Sequence, residues 1–184
     1  MNQSVQRVEY TLMPEDFIYY QLVCARKFGV LKYRLFFFLA FGVELIGVLA
    51  LSVFSLSRGI SRNLFICLIC LALITLGLVL LYLLYPILIK RSARDIFEGD
   101  SNYHYPMMLE FYEDVLVISY RHMRMTWGWR QFVCCFESTT HFCFVTNKNG
   151  TMGVILPKSC LTQQQVESVS QKINELFGKR HVMV

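Results

Sequence analysis

Glu44 is the residue with the clearest chemical potential, because it interrupts an apolar run from Leu35 to Leu56 that otherwise has no charge. A carboxyl at the depth of a bilayer core is costly. Such a group relays a proton or ion, meets a second subunit, or is held neutral by a hydrogen bond; the last is the plainest reading. A second apolar run, Leu64 to Ile89, returns antiparallel. Depth matching sets Thr75 and Tyr82 opposite Glu44, with Gly77 allowing close approach. Glu44→Gln is then expected to preserve assembly.

Cys67 and Cys70 form a C-x-x-C in the second run and share a helix face. No second ligand pair is near, so they read as small hydrophobes. The histidines at 104, 122, 141 and 181 have no zinc spacing with the cysteines. Cys134-Cys135 and His141 are close in sequence, yet no nucleophile, metalloprotease or phosphate-loop motif accompanies them. The expectation is therefore no enzyme, no metal and no cofactor. Trp127, Trp129 and Lys158 are the remaining candidates, for a binding groove. Core and strand-end roles compete with that reading.

The elements that would position these residues follow from the hydropathy. Each apolar run exceeds the roughly 20 residues needed to cross a core of about 30 Å. Seven residues, Ser57 to Asn63, join them, so the pair is expected as a transmembrane hairpin. Helices in lipid satisfy their own backbone and need no polar face. The chain is 55% hydrophobic and 17% charged, in keeping with a membrane protein. The first run starts too late and is too long for a signal-peptide core, so no cleaved signal is expected.

Basic residues give the orientation. Arg26, Lys27, Lys32, Arg34, Lys90, Arg91 and Arg94 flank the outer ends, against Arg58 and Arg62 in the loop. Both termini are expected in the cytoplasm. Lys32, Arg34, Lys90, Arg91 and Arg94 form a collar suited to anionic headgroups. From Lys90 onward there are eleven basic and nine acidic residues, too balanced for a nucleic-acid interface. Seven cysteines, most outside the spans, suit a reducing compartment.

Four segments are expected. Residues 1–34 hold an edge strand, Val5 to Leu12, and an amphipathic helix with Pro14 in its first turn and Phe17, Tyr20, Cys24 and Phe28 on one face. This helix is expected against the soluble domain. The hairpin occupies 35–89 and a linker 90–104. Residues 105–184 form an α+β domain of short strands, one of them Arg121 to Arg130 with period two, then a hairpin turned at Asn149-Gly150. A helix follows, started by a Thr162/Gln165 capping box and ended at Gly178. A bent antiparallel sheet closed by a C-terminal helix is the pattern of pleckstrin-homology-like (PH-like) domains.

Thr11-x-x-x-Glu15-Asp16-Phe17, Trp129-x-x-Phe132, Phe142-x-Phe144 and Ile155-Leu156-Pro157-Lys158, in this order, resemble the YcxB-like family of small two-span bacterial membrane proteins. The resemblance covers nearly the whole chain. It departs where two tryptophans, Trp127 and Trp129, flank Gly128. It implies a bacterial inner-membrane protein with a cytoplasmic PH-like domain and transfers no catalytic residue. The function expected is non-catalytic binding of a partner protein or peptide, with possible homo-oligomerisation through the hairpin. The alternatives are an immunity or self-protection factor and a small transporter or channel subunit using Glu44.

Overall fold

A computed structural model describes residues 6–58, 62–147 and 152–184, and within the long apolar helices it leaves aside the side chains at 30, 34, 35, 54–58, 62–65, 67 and 68. Val5, the hairpin loop at 59–61, the Asn149-Gly150 turn, and the side chains of Arg34, Arg58, Arg62 and Cys67 lie outside the described residues. The described chain is an α+β mixture of four α-helices and two sheets.

Helices α2 (Arg34–Arg58) and α3 (Arg62–Gly99) realise the two apolar runs. Both are long and apolar enough to cross a membrane, with mean hydropathy 2.3 over Phe36–Val53 and 2.5 in an 18-residue window within Ile69–Gly99. Two internal hydroxyls are satisfied within their own helices. Ser52 donates to Val48 O (2.7 Å), and Thr75 reaches Leu71 O (3.0 Å) and Ala72 O (3.1 Å). Pro86 lies inside α3 and removes one backbone donor from the helical ladder.

The chain divides into two compact units: Val30–Leu88, and Met1–Gly29 together with Ile89–Val184. In the second unit, β1 (Gln6–Tyr10), β2 (Met107–Phe111), β3 (Val115–Tyr120) and β4 (Met123–Gly128) form an antiparallel sheet in sequence order. The first strand thus pairs with a partner that follows both long helices in the chain, Tyr10 opposite Met107. A second sheet has the order β7-β6-β5-β8. Its strands β5 (Cys134–Glu137), β6 (His141–Val145) and β7 (Gly153–Pro157) are antiparallel, whereas β8 (His181–Met183) runs parallel to β5.

Helix α1 (Pro14–Lys27) buries Phe17, Tyr20, Val23 and Cys24 in the core of this unit. Helix α4 (Gln163–Phe177) starts at the expected capping box, with Thr162 Oγ1 accepting from Gln165 N and Gln165 Oε1 accepting from Thr162 N. Its stripe Val169, Ile173 and Phe177 is buried. Gly178 ends the helix at φ +47°, a value glycine adopts without steric cost. Between the sheets, the rings of Phe111, Trp129, Phe132, Phe144 and Phe177 lie at centroid separations of 5.7 to 6.4 Å.

Three details depart from the sequence expectation. Residues 90–104, expected as a linker that begins as a helical extension and ends in a turn, are helical to Gly99 and form a 3-10 turn over Ser101–His104, but they also join the core. Ala93 and Phe97 belong to the core there, and Phe97 stacks on Tyr103 at 5.5 Å. The single strand expected from Arg121 to Arg130 stops at Gly128. Gln131 Oε1 accepts from Gly128 N and Trp129 N donates to Asp114 O, which turns the Trp129 indole inward. Strand β8 was not anticipated. Three residues carry no periodicity, and their pairing is set by the return of α4.

Candidate functional site

A cavity of about 200 Å³ lies in the layer between the two sheets. Register explains its place. Tyr10, Met107 and Tyr120 are cross-strand neighbours on the first sheet, as are Ile118 and Met125, and all five line it. Phe17 and Tyr20 of α1 and Gly153, Val154 and Ile155 of β7 complete the walls, while Asp100, Asn102 and Thr146 contribute polar edges. Among the described residues, no lysine, arginine or histidine lines it. A side chain at Gly153 would collide with the Tyr20 hydroxyl and with Phe144 O, so glycine there lets the helix approach the strand. The Tyr10 hydroxyl donates to Ile155 O and ties β1 to β7.

Two polar atoms beside this cavity stand out. The Trp127 indole N–H and the Tyr20 hydroxyl are buried and make no well-formed hydrogen bond. The Cys24 thiol, one turn along α1, is a weak hydrogen-bond partner for the Tyr20 hydroxyl. Burial pushes the Tyr20 phenol well above its ordinary range, and raises the Cys24 thiol to about 12.

A second cluster centres on Glu137, whose side chain is 5% exposed. Lys158 Nζ lies 2.8 Å from Oε1, and Ser170 Oγ lies 2.8 Å from both carboxyl oxygens. His181 Nε2 is 2.8 Å from Oε2 but out of line for a hydrogen bond, and the two form an ion pair only when the imidazole carries its second proton. Burial alone would raise the Glu137 pKa. The hydrogen bonds from Lys158 and Ser170, with the charges of Lys158 and His181, outweigh it and hold the carboxyl below its ordinary value. One carboxylate thereby ties β5 to the end of β7, to α4 and to β8.

Asp16 makes a third polar link. Its Oδ1 accepts from His141 Nε2 at 2.8 Å and its Oδ2 from Met13 N at 2.9 Å, so it caps α1 and pins that helix to β6. His141 Nδ1 faces Thr140 Oγ1 at 2.7 Å, and its ring stacks on Tyr19 at 4.6 Å. The partner of His141 is therefore an aspartate, not the neighbouring cysteines. Burial raises the Cys134 thiol to about 11 and pushes Cys135 well up, which disfavours thiolate formation.

The structure does not gather the residues of the expected groove. Trp127 lines the cavity. Trp129 is 6% exposed in the aromatic core, and its Nε1 donates to Tyr112 O at 3.2 Å. Lys158 borders a separate open depression with Asp16, Thr140 and His141. Lys32, Lys90, Arg91 and Arg94 of the basic collar are exposed, and Lys32 lies over the Tyr33 ring at 5.8 Å.

The intramembrane trio also separates. Thr75 is bonded to its own helix, and Tyr82 stacks on Phe37 at 5.2 Å. Glu44 Oε1 is buried with no hydrogen-bond partner. The expected Glu44 bond to Thr75 or Tyr82 is thus not formed, because a helix carbonyl one turn back is the nearer acceptor for a threonine hydroxyl. Glu44→Leu should therefore leave the association of α2 with α3 unchanged or stronger, since it removes an unpaired buried oxygen. Fluorescence transfer between the two helices in detergent would measure this, and a weakened pair would show that Glu44 has a partner within the hairpin.

The Glu137 and Asp16 links were missed by sequence reasoning. A glutamate closing the otherwise apolar Cys134–Glu137 strand was the available signal, but its three partners come from distant positions. The fold and site together define an α+β protein with two helices apolar enough to cross a membrane. Comparison with protein-family models, curated proteins and solved structures finds no match.

Proposed function

We propose that this chain is a non-catalytic protein of a bacterial inner membrane, in which α2 and α3 anchor a cytoplasmic, PH-like binding unit for a partner protein. The PH-like reading is supported by two packed sheets followed by a C-terminal helix, and the YcxB-like resemblance of the sequence agrees with it. The pairing of β1 with β2 supports the topology. A single folded unit cannot straddle a bilayer, so its pieces before and after the hairpin share one side, and the basic flanks make that side cytoplasmic.

The observation that carries partner binding is the outer edge of β4. No strand pairs with it among the described residues. Met123, Arg124 and Thr126 are exposed along it. The other edges are occupied or short: Tyr10 ties β1 to β7, α1 contacts β7, and β8 has three residues. An extended partner segment would gain main-chain hydrogen bonds at β4.

Reporter fusions at Ser61 and after Val184 should be active outside and inside, respectively; an externally active C-terminal fusion reverses the topology. A photocrosslinker at Thr126 should give a discrete adduct in cells that one at Gln171 on α4 does not. Loss of that difference removes the β4 reading. The unpartnered Glu44 oxygen supports a second reading, a transporter or channel subunit, which proton-dependent flux in liposomes abolished by Glu44→Gln would establish.

A further inference from the structure

We propose that the cavity between the two sheets binds a small neutral apolar molecule that carries one hydrogen-bond acceptor, a ring or short chain bearing a carbonyl oxygen. This goes beyond partner binding at the β4 edge and does not rest on it.

Three observations converge. The walls are aromatic and thioether-rich, with Tyr10, Phe17, Tyr120, Trp127, Met107 and Met125 among them. Rings and methionines accept flat or irregular apolar groups with little reorganisation. The volume, about 200 Å³, is below the usual range for drug-sized ligands, which starts at about 300 Å³, and so limits the occupant to something near the size of a substituted benzene.

Polarity sets the head group. The Trp127 indole N–H is buried without an acceptor. Indole only donates, so what it lacks is an acceptor. The Tyr20 hydroxyl lines the same cavity, and the Cys24 thiol it meets is a weak acceptor that an oxygen would replace. Among the described residues no cationic side chain lines the space, and Asp100 borders it, so a carboxylate or phosphate would meet no counter-charge there. A neutral carbonyl meets the need of the indole without that cost. Trp127 is then the positioning donor, and Tyr20 a second donor that selects for oxygen over hydrocarbon.

The test uses the full chain in lipid nanodiscs, labelled with 5-fluorotryptophan. The sequence has two tryptophans, so two fluorine signals are expected, and Trp127→Phe assigns them. Acetophenone, ethylbenzene and benzoate are the probes. They share a benzene ring and carry a neutral acceptor, no acceptor and a negative charge. Acetophenone should shift the Trp127 signal saturably, leave Trp129 in place, and bind about tenfold more tightly than ethylbenzene, the usual penalty for an unmade buried hydrogen bond. Benzoate should not shift it.

Tyr20→Phe keeps the ring and should reduce the preference for acetophenone several-fold. Where Trp127→Phe perturbs the fold, the unchanged Trp129 environment in Tyr20→Phe still reports on a native core. Equal affinity for acetophenone and ethylbenzene overturns the assignment of the acceptor. The absence of any saturable Trp127 shift, or equal movement of both signals through partition of probe into the bilayer, overturns the site. A positive crosslink from Thr126 with a silent cavity leaves the partner-binding reading intact, and the reverse result leaves the cavity assignment intact.

Discussion

Glu137→Leu should unfold the sheeted unit at ambient temperature or lower its stability by about 3 to 5 kcal/mol, the cost of leaving a buried charge unpaired. Lys158, only 15% exposed at its side chain, would lose its carboxylate, and the hydroxyl of Ser170 would lose its acceptor. Glu137→Gln retains an acceptor for Ser170 and should lose less. Near-ultraviolet circular dichroism of the full chain during thermal melting, read in the tryptophan bands, separates the variants, because both tryptophans, Trp127 and Trp129, lie in the sheeted unit. A wild-type melt for Glu137→Leu would show that the cluster holds nothing together.

The same carboxylate makes the unit acid-sensitive. Its folded pKa is depressed, so its contribution is complete above the ordinary glutamate value of about 4.3. That contribution is lost as pH falls through the lower folded value. The melting temperature should therefore show a fall on acidification that Glu137→Gln lacks. An identical acid profile for both proteins would assign the sensitivity to other carboxylates.

Ile173→Asp should be as damaging. Ile173 is 1% exposed on the buried stripe of α4 and belongs to the apolar core, so an aspartate there would be buried among hydrophobic side chains. Loss of about 3 to 5 kcal/mol is expected from the missing side chain and the buried carboxyl together. Leu176, half-buried on the same helix, should tolerate aspartate better. The double replacement should behave like Ile173→Asp alone. A native melt for Ile173→Asp would mean that α4 does not close the core.

What sequence reasoning captured and what it missed divide along one physical line. Strong local periodicity was legible: the two apolar helices, the Thr162 cap, the α4 stripe, and the aromatic face of α1. Each depends on residues within a few positions of one another. Tertiary pairing was not legible. The inward turn of Trp129 depends on Gln131 and Asp114, and the strand β8 depends on where α4 ends. Asp16 lies 125 residues from His141, and no local pattern announces such a pair. The Trp127, Trp129 and Lys158 grouping failed for the same reason. Side-chain type suggested a shared surface, whereas register and one 3-10 turn put both indoles against Phe132, with Trp127 at the cavity and Trp129 in the core, and sent Lys158 to Glu137.

Because β1 pairs with β2 across the whole of α2 and α3, the soluble unit cannot be finished in the order in which it is made. The N-terminal strand leaves the ribosome first, yet it has no partner until Met107–Phe111 emerges. Its edge, and the aromatic face of α1 behind it, must wait until the whole of α2 and α3 has been made. Closing so long a loop is entropically costly for a free chain, though the cost grows only slowly with length. A hairpin seated in a bilayer brings its two ends together beforehand and so removes most of that cost. Completion of the unit is in this way tied to the hairpin: a chain in which α2 and α3 do not bring their ends together leaves its first strand without its partner.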